Sequence, residues 1–220
     1  MMTVTELLDL SKTIAAPLFA GKTYPWEALA EIKDFILALG PTLLKDEYDQ
    51  VGEDVWIAKD ATVFASAYIA GPCIIDHGAE LRHCAFVRGS AIVGKHAVVG
   101  NSCELKNVVL FDNVQTPHFN YVGDSILGYK AHMGAGSITS NVKSDKTLVV
   151  IKNGDELIET GRKKVGAILG DYVEIGCNSV LNPGTVLGRR ASVYPTSSVR
   201  GMIPENGIYK DKDNIVIRHQ

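Results

Sequence analysis

With 220 residues, 46% apolar and 21% charged, the chain is long enough for one substantial core and has the composition of a soluble globular protein. A net charge of −3 without any block of basic residues speaks against nucleic acid as a partner. Glu6 and Asp9 interrupt any N-terminal apolar run, and the longest uncharged stretch, 61–75, is too short to cross a bilayer. Neither a signal peptide nor a membrane partner is therefore expected, and the expected location is cytoplasmic.

Residues 1–50 read as helical. Thr3 with Glu6 has the spacing of a capping box and opens a helix through Leu7, Leu8 and Ile14 to about Pro17. Pro25 suits the first position of a second helix, which carries Leu29, Ile32, Phe35, Ile36 and Leu39 on one stripe before Gly40-Pro41 stops it. Such a pair is expected to cap the open end of the domain formed by the rest of the chain.

From Val51 onward the chain is a repeat of six. Val51, Ile57, Val63, Ile69, Ile75, Leu81, Val87, Val93 and Val99 recur at that spacing, and a small residue stands four places after most of them: Ala61, Ala67, Cys73, Ala79, Ala85, Ala91, Ala97 and Cys103. A helix has a period near 3.6 and an ordinary strand a period of 2, so neither explains a strict six. A short strand and a bend, laid along one face of a parallel β-helix, does. The fold class expected is all-β, with the aliphatic residue pointing inward and the small one packed at the corner. The β-helix is expected over 51–204.

Leu105 and Phe111 keep the register, which breaks near Thr116 and resumes with its phase moved by four; an insertion at about 117–120 accounts for that. Leu127 and Met133 open two more hexads. A longer interruption at about 139–168 holds Leu148 to Ile151, Asn153-Gly154 and Leu157-Ile158, the pattern of a β-hairpin. Hexads return at Leu169, Ile175, Leu181, Leu187, Val193 and Val199, and the tail, 205–220, alternates as a final hairpin around 211–214. Cys73, Cys84, Cys103 and Cys177 all sit inside hexads without a CxxC, as fillers in a reducing compartment.

Chemistry is expected where a solenoid departs from its repeat. His118 lies at such a departure. Arg88 and Lys106 are eighteen residues apart and both second in their hexads, so they stack on adjacent coils about 4.8 Å apart. Two cations held so close call for an anion between them, and a phosphate is the natural candidate.

The hexads resemble those of the hexapeptide-repeat acyltransferases, whose coils wind as a left-handed, three-sided β-helix. More specifically, the stretches 103–107 (Cys-Glu-Leu-Lys-Asn), 116–124 (Thr-Pro-His-Phe-Asn-Tyr-Val-Gly-Asp) and 133–141 (Met-Gly-Ala-Gly-Ser-Ile-Thr-Ser-Asn) resemble the acetyltransferase domain of the bifunctional UDP-N-acetylglucosamine diphosphorylase/glucosamine-1-phosphate N-acetyltransferase family. The stretch 160–171 is similar to the archaeal-type branch. That family transfers acetyl from acetyl-CoA to the amine of glucosamine 1-phosphate.

The resemblance implies His118 as catalytic base, and Arg88 and Lys106 as the cations holding the sugar phosphate. It implies sugar contacts from Tyr121, His132 and Asn141, a backbone contact to the thioester at Ala135 and a coenzyme A contact at Cys177. It also implies a homotrimer with acetyl-CoA between neighbouring prisms, and no metal. His132 stands where better-known bacterial members have asparagine, and Val142 where they have tyrosine. No Gly-rich nucleotide-binding motif is present, so the nucleotidyltransferase half is expected to be missing. Two other readings stay open. One is a non-catalytic trimeric scaffold or regulator; the other is a zinc enzyme like the γ-class carbonic anhydrases, which would need three of His77, His83, His96, His118, His132 and His219 to converge.

Overall fold

A computed structural model describes residues 2–218, so His219 and Gln220 at the end of the expected tail lie outside it. Strands stack in parallel on three faces. On the first, Trp56 stands beside Ile74 and Ile74 beside Ile92, eighteen residues per coil. Thr62, Glu80 and Val98 make the same row on the second face, and Tyr68, Phe86 and Glu104 on the third. The protein is a left-handed parallel β-helix of about nine turns, as expected.

From the second coil onward the hexads work as predicted, while in the first coil Ile57, Val63 and Ile69 are only partly covered. Leu81, Val87, Val93, Val99 and Leu105 are completely buried inside the prism, and Ala79, Ala85, Ala91, Ala97 and Cys103 fill its corners. The fourth residue of a hexad takes a left-handed backbone: Cys84, Ser90, His96, Ser102, Phe119 and Asn178 all have φ between 53° and 59° except Ser90, at 51°. That single residue turns the chain onto the next face. The side chain beside it must be small because the corner leaves it no room.

Two expectations about the repeat need correction. Val51 is 60% exposed, because Tyr48–Gly52 runs antiparallel to Val55–Ala58 and the coils begin only with the latter. There is also no insertion at 117–120: His118 stands beside Asn101 in unbroken parallel register. A phase gain of four in a period of six equals a loss of two. Two corners are each one residue short, so that Val109 pairs with Ile92 and Ile126 with Val109, seventeen residues per coil. At both corners the left-handed residue comes one place early, at Asn107 (φ 56°) and Asp124 (φ 48°). The long insertion is present as expected, with Val150–Asn153 paired antiparallel to Glu156–Glu159. Gly207–Asp211 and Asn214–Ile217 form the final hairpin.

The N-terminal segment does not cap an end. It lies along the first face, where Ile32–Leu39 packs on Ala91–Val93 and Glu104–Leu110, and Pro25–Ala30 packs on Tyr121–Leu127. The outward residues there, Ile74, Ile92, Val109 and Ile126, are fully buried by it or by their neighbours. Phe19 meets Phe111 edge to face at 5.8 Å. The first expected helix shrinks to Val4–Leu7, since the backbone beyond it bonds to the coils: Asp112 N–H donates to Lys12 O, and Asp9 N–H to Asp171 Oδ2. With the end uncovered, Val63 in the first coil is 38% exposed.

Candidate active site

The corner between the second and third faces carries a vertical row. Phe119 N–H donates to Asn101 O, Gly136 N–H to His118 O, and Asn178 N–H to Ala135 O, each at 2.8–2.9 Å. His118, Ala135 and Cys177 therefore occupy equivalent places on three successive coils. The insertion at 139–168 is looped out between the last two without breaking the row, as Ile138 stands beside Val180. The His118 ring is exposed and, among the described residues, has no hydrogen-bond partner. The coil ladder uses the Ala135 carbonyl and leaves its N–H without a protein acceptor among those residues.

What holds His118 in place is a residue that neither the repeat nor the family resemblance singles out. Asn120 takes the small corner position and is buried. Its Oδ1 accepts the His118 N–H at 3.2 Å, and its Nδ2 donates to Gly134 O and Ser137 O, both at 2.9 Å. The sequence does carry a signal for it: an amide stands in a row otherwise filled by Ala67, Ala85, Cys103 and Ser137.

The other nominated residues gather at the far edge of the third face. Asn141 Nδ2 donates to Tyr121 Oη at 3.2 Å and to Asp124 Oδ2 at 2.6 Å. Burial pushes the Tyr121 phenol above its usual range; the Asn141 bond works against that shift, and the Asp124 and Glu104 charges add to it. Arg88 and Lys106 stand on adjacent coils, and each is also paired with a carboxylate of the chain itself. Arg88 pairs with Glu104 at 2.7 Å, and Lys106 with Asp124 at 3.2 Å. Each cation brings its own carboxylate, which the eighteen-residue spacing alone did not reveal.

His132 joins neither group. It projects from the second face beside Gln115, and its Nδ1 lies 2.8 Å from Glu174 Oε2. The chain thus gathers Arg88, Lys106, Tyr121 and Asn141 on one edge and His118, Ala135 and Cys177 on another, and it places His132 around the corner. Among the described residues no group of three or more His, Cys, Asp or Glu is arranged to hold a metal ion.

A family model described as the GMPPB C-terminal domain matches residues 69–211, well over half of the chain. The bifunctional protein GlmU of Methanococcus maripaludis (strain C5) is 32% identical over 133 residues, 60% of this chain and 32% of that protein. A bifunctional sugar-1-phosphate nucleotidylyltransferase/acetyltransferase of Sulfurisphaera tokodaii is 33% identical over 145 residues, 66% of this chain and 36% of that one. The chain spans about a third of the length of these curated relatives. Among solved structures, the acetyltransferase domain of PglB from Neisseria gonorrhoeae in complex with acetyl coenzyme A shares 16% identity at a TM-score of 0.27, over 75% of this chain and 58% of that one. The polySia specific acetyltransferase NeuO shares 13% identity at a TM-score of 0.49, over 77% of this chain and 78% of that one.

Proposed function

The chain belongs to the GMPPB C-terminal domain family, and from that premise we propose that it is an acetyl-CoA-dependent sugar acyltransferase. Its acceptor in this reading is the amine of an amino-sugar 1-phosphate, glucosamine 1-phosphate first. The relatives' names supply the reaction class. The observation that carries it is the His118 ring on the corner row, without a partner among the described residues and one coil from the Ala135 N–H, which has none among them either.

An amine attacks a thioester only when neutral, so the reaction needs a base near pH 7, and an imidazole suits it. His118 takes the amine proton as the new C–N bond forms. The Ala135 N–H, about one strand spacing (~4.8 Å) up the row, donates to the oxyanion of the tetrahedral intermediate. Collapse expels the thiolate of coenzyme A, which the imidazolium reprotonates, and the products are the N-acetyl sugar and free thiol. Cys177, one coil further, lies along the path of the coenzyme. Arg88, Lys106, Tyr121 and Asn141 bind the acceptor, whose phosphate shares the two cations with Glu104 and Asp124.

The same reading includes a homotrimer, in which His132 of one prism would face the acceptor held by the next. The outward aromatic pair Tyr68 and Phe86, tilted against each other with ring centroids 5.8 Å apart and Tyr68 64% exposed, supports a packed third face. A cytoplasmic location is part of it too, supported by four free thiols. No helix among the described residues is long and apolar enough to cross a membrane.

The pairing of both cations by carboxylates favours a second reading, a non-catalytic trimeric scaffold. One experiment separates them: thiol release from acetyl-CoA against a panel of amino-sugar phosphates, with light scattering on the same preparation. Acceptor-dependent release by a trimer is expected. A trimer that releases no thiol with any acceptor supports the scaffold, and a monomer refutes both.

A further inference from the structure

Asp124 is 2% exposed and sits at one of the two shortened corners. Its carboxylate collects donors from three side chains. Asn107 Nδ2 donates to Oδ1 at 2.9 Å, Asn141 Nδ2 to Oδ2 at 2.6 Å, and Lys106 Nζ to both oxygens at 3.2 and 3.3 Å. Its carbonyl accepts the Gly166 N–H at 2.7 Å, while Val165 N–H bonds to Asn141 O. One buried residue thus holds a cation from the coil below, an amide from the coil above, and the point where the long insertion rejoins the β-helix.

We propose that Asp124 is the positioning residue of the acceptor site, fixing Lys106 Nζ and the Asn141 amide in the arrangement that binds the sugar phosphate. The inference rests on the acceptor reading above and adds to it a group that touches no substrate. A buried carboxylate without its cation is strongly disfavoured, so Asp124 keeps Lys106 against the face rather than extended into water. Only a carboxylate serves here. Every neighbouring side-chain group is a donor, and an amide would turn its own N–H groups toward at least one of them. The early left-handed residue at the shortened corner is also what brings the 124 side chain over the row of Lys106 and Asn141. At an ordinary corner the turn would fall one place later.

Asp124→Asn tests this, as the same size without the charge. Acceptor KM is expected to rise at least tenfold, with kcat and acetyl-CoA KM changing less than threefold. In a Lys106→Met background the same change should raise acceptor KM no more than about threefold, because the part acting through Lys106 disappears and only the part acting through Asn141 remains. An unchanged acceptor KM, a parallel rise in acetyl-CoA KM, or additive effects in the double variant would overturn the proposal. If Asp124→Asn does not fold, Asn107→Ala decides instead: it removes one donor from the hub and should raise acceptor KM about threefold, and no change overturns the proposal. If the wild type transfers acetyl to no amino-sugar phosphate, the acceptor reading fails by itself. The hold of Asp124 is then read from the side-chain amide resonances of Asn107 and Asn141, whose solvent exchange should quicken at least tenfold in Asp124→Asn; unchanged exchange refutes it.

Discussion

Replacing Asn120 by alanine removes a clamp that joins two coils and holds the backbone of His118. The side chain makes three well-placed hydrogen bonds, to Gly134 O, Ser137 O and the His118 N–H, while 2% exposed. At about 1 kcal/mol net for each bond, the variant should lose about 3 kcal/mol of stability. Asn120→Asp should be worse at neutral pH. It keeps the acceptor for His118 but aims a carboxylate oxygen at two carbonyl oxygens in a buried corner, where an unpaired charge costs several kcal/mol. Urea unfolding followed by circular dichroism reads both values. Acetyl transfer at a temperature where the alanine variant is folded reads the slackened His118, with kcat lower by about 10² if the ring shifts by about 1 Å. An alanine variant within about 0.5 kcal/mol of wild type, or an aspartate variant more stable than it, would refute the clamp.

His118→Ala should lower kcat by roughly 10²–10⁴ with little change in acceptor KM; steady-state thiol release measures both, and full activity would remove the base assignment. Burial is the main cause that raises the Asp112 carboxyl above its usual 3.8, with Asp76 adding to it and the Lys95 N–H opposing. A raised acid binds its proton more readily folded than unfolded, so it favours the fold at low pH and loses that contribution as pH climbs past 3.8. Asp112→Asn should therefore melt higher than wild type at about pH 7, with the gain vanishing below about pH 4. Melting curves across that range check it, and a gain that persists in acid would contradict the linkage.

Much of the coil was legible from the chain alone. An aliphatic residue every six places, with a small residue two places before the next, is what a three-sided prism demands of its inside and its corners, and Leu81, Val99 and Ala97 are buried accordingly. Both hairpins could be read from their turns. A further signal lay unused. The residue before every third hexad start is apolar, as at Trp56, Ile74, Ile92 and Ile168, while the second face carries Thr62, Glu80, Gln115 and Glu174 there. That contrast marks a face covered by something else, and the N-terminal segment covers much of it rather than an end.

The rest was decided in three dimensions. A phase shift of plus four and one of minus two are the same statement about a period of six; only strand pairing tells an insertion at 117–120 from two shortened corners. Spacing also placed Arg88 above Lys106, but it did not show that Glu104 and Asp124 would turn inward to meet them. Nor did it show that His132 would leave around the corner with Glu174. Periodicity records which side of a strand a residue takes, because burial repeats with the coil. It does not record where a polar side chain ends, because that depends on partners in other coils, and a single missing residue at a corner changes which partners it meets.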